Sequence, residues 1–444
     1  MKNHSYISMQ QDTPDQGQLQ VTVQDGASNR PVENARVRIS YTGVPDNIIE
    51  EVRTDSSGKT PLLDLAAPPL EYSMKPVEQQ PYSEYTVQIS ADGFEPKEVA
   101  GTEVLPHSIS WQGASLRRQQ GNGEDYQRIV IGPHTLFGEY PPKNPEAEIK
   151  PVNESGEIVL SKVVIPEYIV VHDGPAGDTS ARNYYVRYKD YIKNVASSEI
   201  YPTWPEAALR ANILAQITFA QNRIFTEWYP SRGYNFNITN NTAYDQYFVY
   251  GRNIFTNISR LVDELFDQYI RRRGAVNPIF AQYCNGTTVT CGGLSQWGTV
   301  ALANNGYTPL GILRYYYGDD IVIDTATVQR RITSSYPGAP LTIGSRGEDV
   351  RTIRTWLNRI RRNYPAIPAI STTSGDTYNA EMQRSVWAFQ RIFNLTPDGI
   401  VGPATWNKIA YIYVAVMRLA ELGGEMGLSI RIQREEIFNA MHTI

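Results

Sequence analysis

The 444-residue chain has little cysteine, little histidine, no excess of basic residues and no long apolar run. Two cysteines and five histidines leave few ligands for a metal centre, which usually takes about four. The net charge of −5 argues against the basic face that nucleic-acid binding requires. The longest apolar run, Ile409 to Met417, is far shorter than the ~20 residues needed to span a bilayer. The sequence therefore predicts no metal or cofactor, no nucleic-acid partner and no membrane span.

The overall composition is that of a globular protein with several domains. Hydrophobic residues make up 41% of the chain and charged residues 20%, which excludes extensive disorder. The length corresponds to roughly three domains. Two runs of basic residues, Arg271–Arg273 and Arg359–Arg362, are predicted to be solvated helix faces.

The two cysteines, Cys284 and Cys291, enclose the turn-forming pair Asn285-Gly286, which is flanked by β-formers. This spacing allows a small disulfide across the loop, and it equally allows two reduced thiols. A zinc site is disfavoured because no histidine lies nearby in the sequence.

Glu199 is the acidic residue whose position is most unusual. Ile192, Val195 and Glu199 recur with helical spacing, so the carboxyl group shares the apolar stripe of a short helix. Burial and the negative end of the helix dipole both disfavour ionisation, so we expect a raised pKa. A carboxylic acid that stays protonated near neutral pH can protonate a glycosidic oxygen. The alternative is a glutamate that reaches solvent or caps the next helix.

A second helix is predicted to begin directly after Glu199. Thr203 and Glu206 have the spacing of a capping box, with proline in the first turn. Such a start would hold the preceding loop rigidly, as a catalytic acid requires. The apolar residues of this helix are predicted to be core: Leu209, Ile213, Ile217, Ala220 and Ile224.

Three segments of the central region together resemble a known family. The segment Val195 to Ile200 (VASSEI), GGLSQWG at 292–298 and LRYYYG at 313–318 are similar to the core motifs of the stage II sporulation protein D (SpoIID-like) family. The resemblance implies a lytic enzyme that cuts cell-wall glycan strands, with Glu199 as the catalytic acid. Other residues are candidates for substrate contact: Gln246, Ser295, Gln296, Trp297 and Trp204. Trp204 could instead fill the turn. The three tyrosines at 315–317 are predicted to lie in the core at a helix end.

One part of the family pattern is missing. Relatives carry a His/Cys pair before Q-x-Y, and in some members this pair binds zinc. Tyr244 and Asp245 stand at those positions here, while Gln246 keeps the glutamine. We therefore expect no metal at this site.

The N-terminal segment predicts an all-β sandwich. Strand-like stretches at 19–23, 35–39, 52–60 and 85–94 are separated by turn signals such as Ser57-Gly58 and Asp92-Gly93. Their order resembles the carboxypeptidase regulatory-like, or transthyretin-like, module, which implies a spacer or adhesion unit. Any protein partner is expected to bind there.

The C-terminal segment predicts an all-α domain. Val350, Ile353, Leu357 and Ile360 form a helical stripe, and a second helix precedes the turn PDGIVG at 397–402. The pattern resembles the three-helix peptidoglycan-binding domain of wall hydrolases. We expect Asp398 and the glycines to shape the turn and Trp406 to lie in the core.

Together these interpretations predict a multidomain bacterial wall protein. The predicted order of domains is an all-β sandwich, an α+β SpoIID-like domain and an all-α three-helix domain. The predicted boundaries are 1–17 flexible tail, 18–115 sandwich, 116–162 connector, 163–325 lytic-like domain, 341–413 peptidoglycan-binding domain and 414–444 helical extension. The expected activity is lytic transglycosylation. The alternatives are a non-catalytic wall-binding protein and a metal-dependent peptidoglycan peptidase or amidase, which the scarce and scattered histidines disfavour. The expected location is the cell wall or spore envelope. The first residues lack the apolar stretch of a secretory signal, so export would use lysis, an injection machine or mother-cell release.

Overall fold

The computed structural model describes most of the chain. It covers residues 14–119, 126–146, 163–328 and 339–413, except residues 27, 29, 167, 227, 230, 231, 233, 235, 363, 372–374, 394, 403, 404, 407 and 411. The predicted helical extension at 414–444 and most of the predicted N-terminal tail lie outside the described residues. No helix within these ranges is long and apolar enough to cross a membrane.

The N-terminal region is a β-sandwich, as the alternating pattern predicts. Its strands are β1 (Asp15–Asp25), β2 (Arg36–Tyr41), β3 (Ile48–Arg53), β4 (Leu63–Ala67), β5 (Ser83–Ser90), β6 (Lys97–Val104) and β7 (Ile109–Leu116), with a 3₁₀ turn at Leu70–Ser73. Every second residue of β1 is buried, because successive side chains of a strand point to opposite faces. β1 begins before the end of the tail predicted at 1–17.

Two strands from outside the predicted sandwich complete its sheets. β8 (Gln127–Val130), from the connector, pairs in parallel with β6. The strand Ile254–Phe255, from the central region, pairs with β7. A buried ion pair between Glu103 and Arg252, with oxygen and nitrogen 2.5 Å apart, lies at the same junction. The sandwich is therefore fixed to the central region by backbone pairing and a buried charge pair.

The central region mixes helices with small sheets, which agrees with the α+β expectation. Its elements are β9 (Val164–Ile165), β10 (Tyr168–His172), β11 (Asn183–Arg187), α1 (Tyr188–Glu199), α2 (Glu206–Phe225), β12 (Ile238–Thr239), β13 (Ile254–Phe255), α3 (Thr256–Leu265), β14 (Gln268–Arg272), β15 (Tyr283–Cys284), β16 (Leu294–Ser295), α4 (Gln296–Asn304), α5 (Pro309–Tyr317), β17 (Ile321–Thr325) and β18 (Thr327–Val328). α2 runs through the middle and is buried on nearly all sides. The five residues predicted as its apolar face all lie in the core.

Three local predictions for this region are wrong. The Thr203–Glu206 capping box does not form, because the Thr203 hydroxyl bonds to Ser73 and Glu206 pairs with two arginines on the surface. The run Arg271–Arg273 lies in and after strand β14 and not on a helix. Tyr315, which the sequence places in the core, is 65% exposed. In each case a tertiary contact or the end of an element overrides the local pattern.

The C-terminal region is helical and has its own core. Its named helices are α6 (Glu348–Ile360) and α7 (Ala380–Ile392), and a further helical stretch lies within 405–413. The apolar stripe of α6 is buried, and so is Trp406. Asp398 accepts a hydrogen bond from the Ile400 N–H at 2.8 Å, and Gly399 has φ +68. The predicted roles of Asp398 in the turn and of Trp406 in the core are confirmed.

Candidate active site

Glu199 is the last residue of α1 and its side chain is buried, with 3% of the residue exposed. Three donors contact its carboxylate. The Tyr247 N–H donates to Oε1 at 2.7 Å, and the Tyr283 hydroxyl and the Gln216 amide donate to Oε2 at 2.5 and 2.9 Å. The position at the helix end and the burial are those expected from the sequence.

The surroundings of Glu199 act on its pKa in opposite directions. Burial raises the pKa, because the charged form loses its hydration. The Lys143 ammonium and the three donors lower it, because they favour the carboxylate. Burial is the larger effect, and the pKa of Glu199 lies above its ordinary value. Such a carboxyl group can hold a proton, and its neighbours stabilise the ionised form once the proton has been released.

Lys143 comes from the connector, which the sequence predicts to be a passive link. Its ammonium donates to the Asp245 carbonyl oxygen at 2.6 Å and lies 5.5 Å from the centre of the Tyr283 ring. Neighbouring residues hold this segment in place. The Asn144 N–H donates to the Ala243 carbonyl at 2.8 Å. Burial lowers the pKa of Lys143, while Glu199 and Asp245 oppose that shift.

A narrow cleft leads to Glu199. Its walls come from the connector, from the loop after β12 and from the disulfide loop, and its volume is about 40 Å³. The residues that face it include Thr135, Tyr140, Lys143, Glu199, Thr242, Tyr283, Asn285, Val289 and Gln296. Ligand-sized sites usually measure ~300–1,000 Å³, so a glycan strand can enter only if a wall moves.

The wall on one side is a loop closed by a disulfide between Cys284 and Cys291. Of the two alternatives that the sequence left open, the structure contains the disulfide. Gly286 has φ +82, and a Cβ there would collide with the Ser295 hydroxyl. Gly293 likewise lies against the Gln282 carbonyl, whereas Gly292 has open space beside it. Close backbone approach therefore explains one glycine of the GG pair.

The five candidate substrate residues are not gathered at the cleft. Gln296 faces it and donates to the Glu199 carbonyl oxygen at 3.1 Å. Gln246 is fully buried and reaches Glu199 only through the Tyr283 hydroxyl, to which it donates at 3.0 Å. Ser295 caps α4 by accepting from the Gly298 N–H at 3.0 Å.

The two candidate tryptophans lie in the core. Trp204 donates from its indole nitrogen to the Ser73 carbonyl at 2.9 Å, and its ring centre is 5.0 Å from that of Trp297. Both residues are less than a tenth exposed. Neither faces the cleft, so the geometry favours the reading in which Trp204 fills the turn.

The residues at the family's metal positions do not fit zinc. The Asp245 carboxylate is buried and accepts from Arg223 at 2.7 Å, from the Tyr229 hydroxyl at 2.5 Å and from the Thr239 hydroxyl at 2.7 Å. A guanidinium therefore already neutralises the carboxylate. Tyr244 is 49% exposed and brings no zinc-type ligand. No cluster of three metal-binding side chains occurs within the described ranges.

Sequence reasoning missed three residues around the acid: Lys143, Gln216 and Tyr283. Lys143 stands alone between prolines in a segment that looks like a linker. Gln216 lies three residues after Ile213 and seven after Leu209, so it shares the apolar stripe of α2, and a polar residue in that position was the available signal. Tyr283 directly precedes Cys284, and nothing in its local pattern distinguishes it from a core tyrosine.

The C-terminal helices match a known family. The model of the family described as "Putative peptidoglycan binding domain" matches residues 346–409. This agrees with the helical domain and the turn at Asp398. The class of protein is thus a multidomain one that binds peptidoglycan through its C-terminal region and associates with the cell wall.

Solved structures give only weak likenesses, each to about a quarter of the chain. The Bacillus anthracis TIE protein is 15% identical over 23% of this chain and 17% of its own, with a TM-score of 0.16. The minor pilin GBS52 of Streptococcus agalactiae is 10% identical over 25% of this chain and 48% of its own, with a TM-score of 0.17. The 5-hydroxyisourate hydrolase of Klebsiella pneumoniae is 14% identical over 23% and 99%, at 0.16. Scores this low support no statement about function. No curated protein matches the chain.

Proposed function

We propose that the central region cleaves peptidoglycan glycan strands by lytic transglycosylation, with Glu199 as the single acid and base. The observation that carries the proposal is the buried carboxyl group at the floor of the cleft. Its pKa is raised by burial, and three donors stabilise its ionised form. The resemblance of VASSEI, GGLSQWG and LRYYYG to SpoIID-like proteins supports the same assignment.

The reaction needs only one carboxyl group. Protonated Glu199 gives its proton to the oxygen between N-acetylmuramic acid and N-acetylglucosamine, and the bond from the muramic C1 to this oxygen breaks. The 6-hydroxyl of the same muramic residue then bonds to C1, and its proton returns to Glu199. The nucleophile belongs to the substrate, so no second carboxylate is required, unlike in hydrolytic glycosidases. The product carries a 1,6-anhydro ring and the enzyme regains its starting state.

Lys143, Gln216 and Tyr283 have supporting roles in this proposal. Once Glu199 has given up its proton, the Tyr283 hydroxyl and the Gln216 amide donate to the oxygen that becomes negative. The Lys143 charge lies close enough to favour the same state. These groups are fixed by folding, so they need little rearrangement during the reaction.

One observation favours a second candidate function, a wall-binding protein without catalysis. The cleft is too small for a disaccharide, and the connector that forms one wall is held in place by the Lys143 and Asn144 hydrogen bonds. A cleft that never opens would leave only the binding role of the C-terminal domain.

Mass spectrometry of peptidoglycan digested with the full chain separates the candidates. Anhydro-muramic products are expected from the transglycosylase. Release of stem peptides would indicate an amidase instead. Sedimentation with walls in the absence of any product would favour the binding protein and contradict the catalytic proposal.

A further inference from the structure

Glu146, in the connector, forms a bidentate ion pair with Arg223 of α2. The two terminal nitrogens of the guanidinium donate to its two carboxylate oxygens at 2.8 and 2.7 Å. The Arg223 side chain is fully buried, and 11% of the Glu146 side chain is exposed. Arg223 also donates through Nε to the Asp245 carboxylate at 2.7 Å, so one guanidinium joins α2, the connector and the loop after β12. Pairs with this fork geometry fix orientation as well as distance.

The connector near Glu146 depends on such contacts for its position. Residues 131–146 form no helix or strand. Three prolines between Tyr140 and Glu146 carry no N–H to donate, and each fixes its own φ. The short segment is therefore stiff and poorly tied by its own backbone. A displacement of Glu146 is expected to reach Lys143, three residues earlier.

Lys143 lies between this ion pair and the acid. It lines the same cleft as Glu199, and its ammonium bonds to the carbonyl of Asp245, whose carboxylate is held by Arg223. The charged groups that act on Lys143 are Glu199, Asp245, Arg223 and Glu146. The other titratable groups that act on or touch Glu199 are Tyr191 on α1 and Tyr283 on β15. Lys143 is thus the cationic side chain through which the Glu146 pair can influence Glu199.

We propose that Glu146 is a positioning residue, which holds the Lys143 ammonium beside the Glu199 carboxyl group through its ion pair with Arg223. The importance of this role rests on the proposed function of Glu199, whereas the positioning itself is a property of the folded chain.

Removing the Glu146 carboxylate has two opposite effects on the pKa of Glu199. Loss of a nearby negative charge lowers the pKa, because the ionised form meets less repulsion. Release of Lys143 raises the pKa, because a favourable positive charge moves away. The direction of the change therefore separates positioning through Lys143 from a direct electrostatic effect. A merely structural role would reduce stability without changing this pKa.

The test is chemical denaturation of the full chain at a series of pH values, with and without Glu199→Gln. The difference in unfolding free energy between the two proteins changes with pH between the unfolded and folded pKa of Glu199 and then levels off. The pH at which it levels off reports the folded pKa. In Glu146→Ala this pH should rise, by no more than it rises in Lys143→Met. Glu146→Gln leaves Arg223 one acceptor and should give a smaller rise in the same direction.

A double variant shows whether the effect passes through Lys143. In the Lys143→Met background, Glu146→Ala should give no rise, because the charge that it positions is absent. The matched control is Glu51→Ala, which removes an arginine-paired carboxylate from β3 of the sandwich and should leave the levelling pH unchanged.

An unchanged or lowered levelling pH in both folded Glu146 variants would overturn the proposal. A rise that persists in the Lys143→Met background would overturn it as well. The measurement does not use cleavage, so its outcome is distinct from that of the proposed function. The expected rise in a protein that releases no anhydro-muramic product would support the positioning role and contradict the catalytic one.

Discussion

Replacing Glu199 with glutamine tests the catalytic proposal most directly. The substitution keeps the shape of the side chain and removes the proton that titrates. Loss of a general acid typically lowers a rate by ~10²–10⁴, so the release of anhydro-muramic products should fall by about that factor. Sedimentation with walls should not change, because the binding domain lies at residues 346–409.

The structure indicates that the variant will fold. The glutamine carbonyl can still accept from the Tyr247 N–H. Its new amide would face the Gln216 amide and the Tyr283 hydroxyl, which both donate to Oε2 of Glu199 in the wild type. The side-chain oxygen of Gln216, Oε1, has no partner in the described part of the chain, so this side chain can turn and accept. At acidic pH, the unfolding free energy of the variant should differ from that of the wild type by about 1 kcal/mol, the usual value of a single hydrogen bond.

The same variant makes a prediction for stability that does not require activity. Burial raises the pKa of Glu199, so the folded state binds this proton more tightly than the unfolded state. Stability from this group is therefore full below the unfolded pKa and is lost as the pH rises through the folded pKa. Glutamine does not titrate. The unfolding free energy of Glu199→Gln should increase relative to that of the wild type over this pH window.

The assays are product mass spectrometry and chemical denaturation at a series of pH values. Glu206→Gln is the matched control, because Glu206 is an exposed carboxylate on the next helix and pairs with Arg210 and Arg260. This control should cleave normally. Undiminished cleavage by Glu199→Gln would remove Glu199 from the mechanism. A stability difference that does not vary with pH would refute the reasoning on its pKa.

Four further results are expected. Lys143→Met removes a charge that lowers the pKa of Glu199, so the loss of cleavage on the alkaline side should move to higher pH, and an unmoved profile would contradict this. Replacing both Cys284 and Cys291 with serine opens a short loop and should reduce the unfolding free energy by about 2 kcal/mol, measured by denaturation. Deleting 341–444 should weaken sedimentation with walls but spare cleavage of soluble glycan, and equal pelleting would refute the anchoring role. Elemental analysis should find no stoichiometric zinc and chelators should not inhibit, since the residues at the family's metal positions do not suit zinc; one tightly bound zinc per chain would contradict this.

Elements whose pattern is local can be predicted from the amino-acid sequence. The alternation in β1 and the stripe of α6 each identify a buried face, because side-chain direction repeats with the period of the element. The end of α1 at Glu199 also followed from spacing. The resemblance to the peptidoglycan-binding family rested on such local features, and the family match at 346–409 agrees with it.

The groups that surround Glu199 are set by tertiary packing. The residues around Glu199 lie between 17 and 84 positions away along the chain: Gln216, Tyr247, Lys143 and Tyr283. Lys143 comes from a connector that looks passive in the sequence. No periodic pattern records such contacts, because they depend on how whole segments pack. For Trp204, too, the sequence alone could not distinguish a side chain that fills the turn from one that stacks on a sugar. The local pattern of side chains sets which face of each element is buried, whereas packing between distant segments sets the charge and hydrogen bonding at the site.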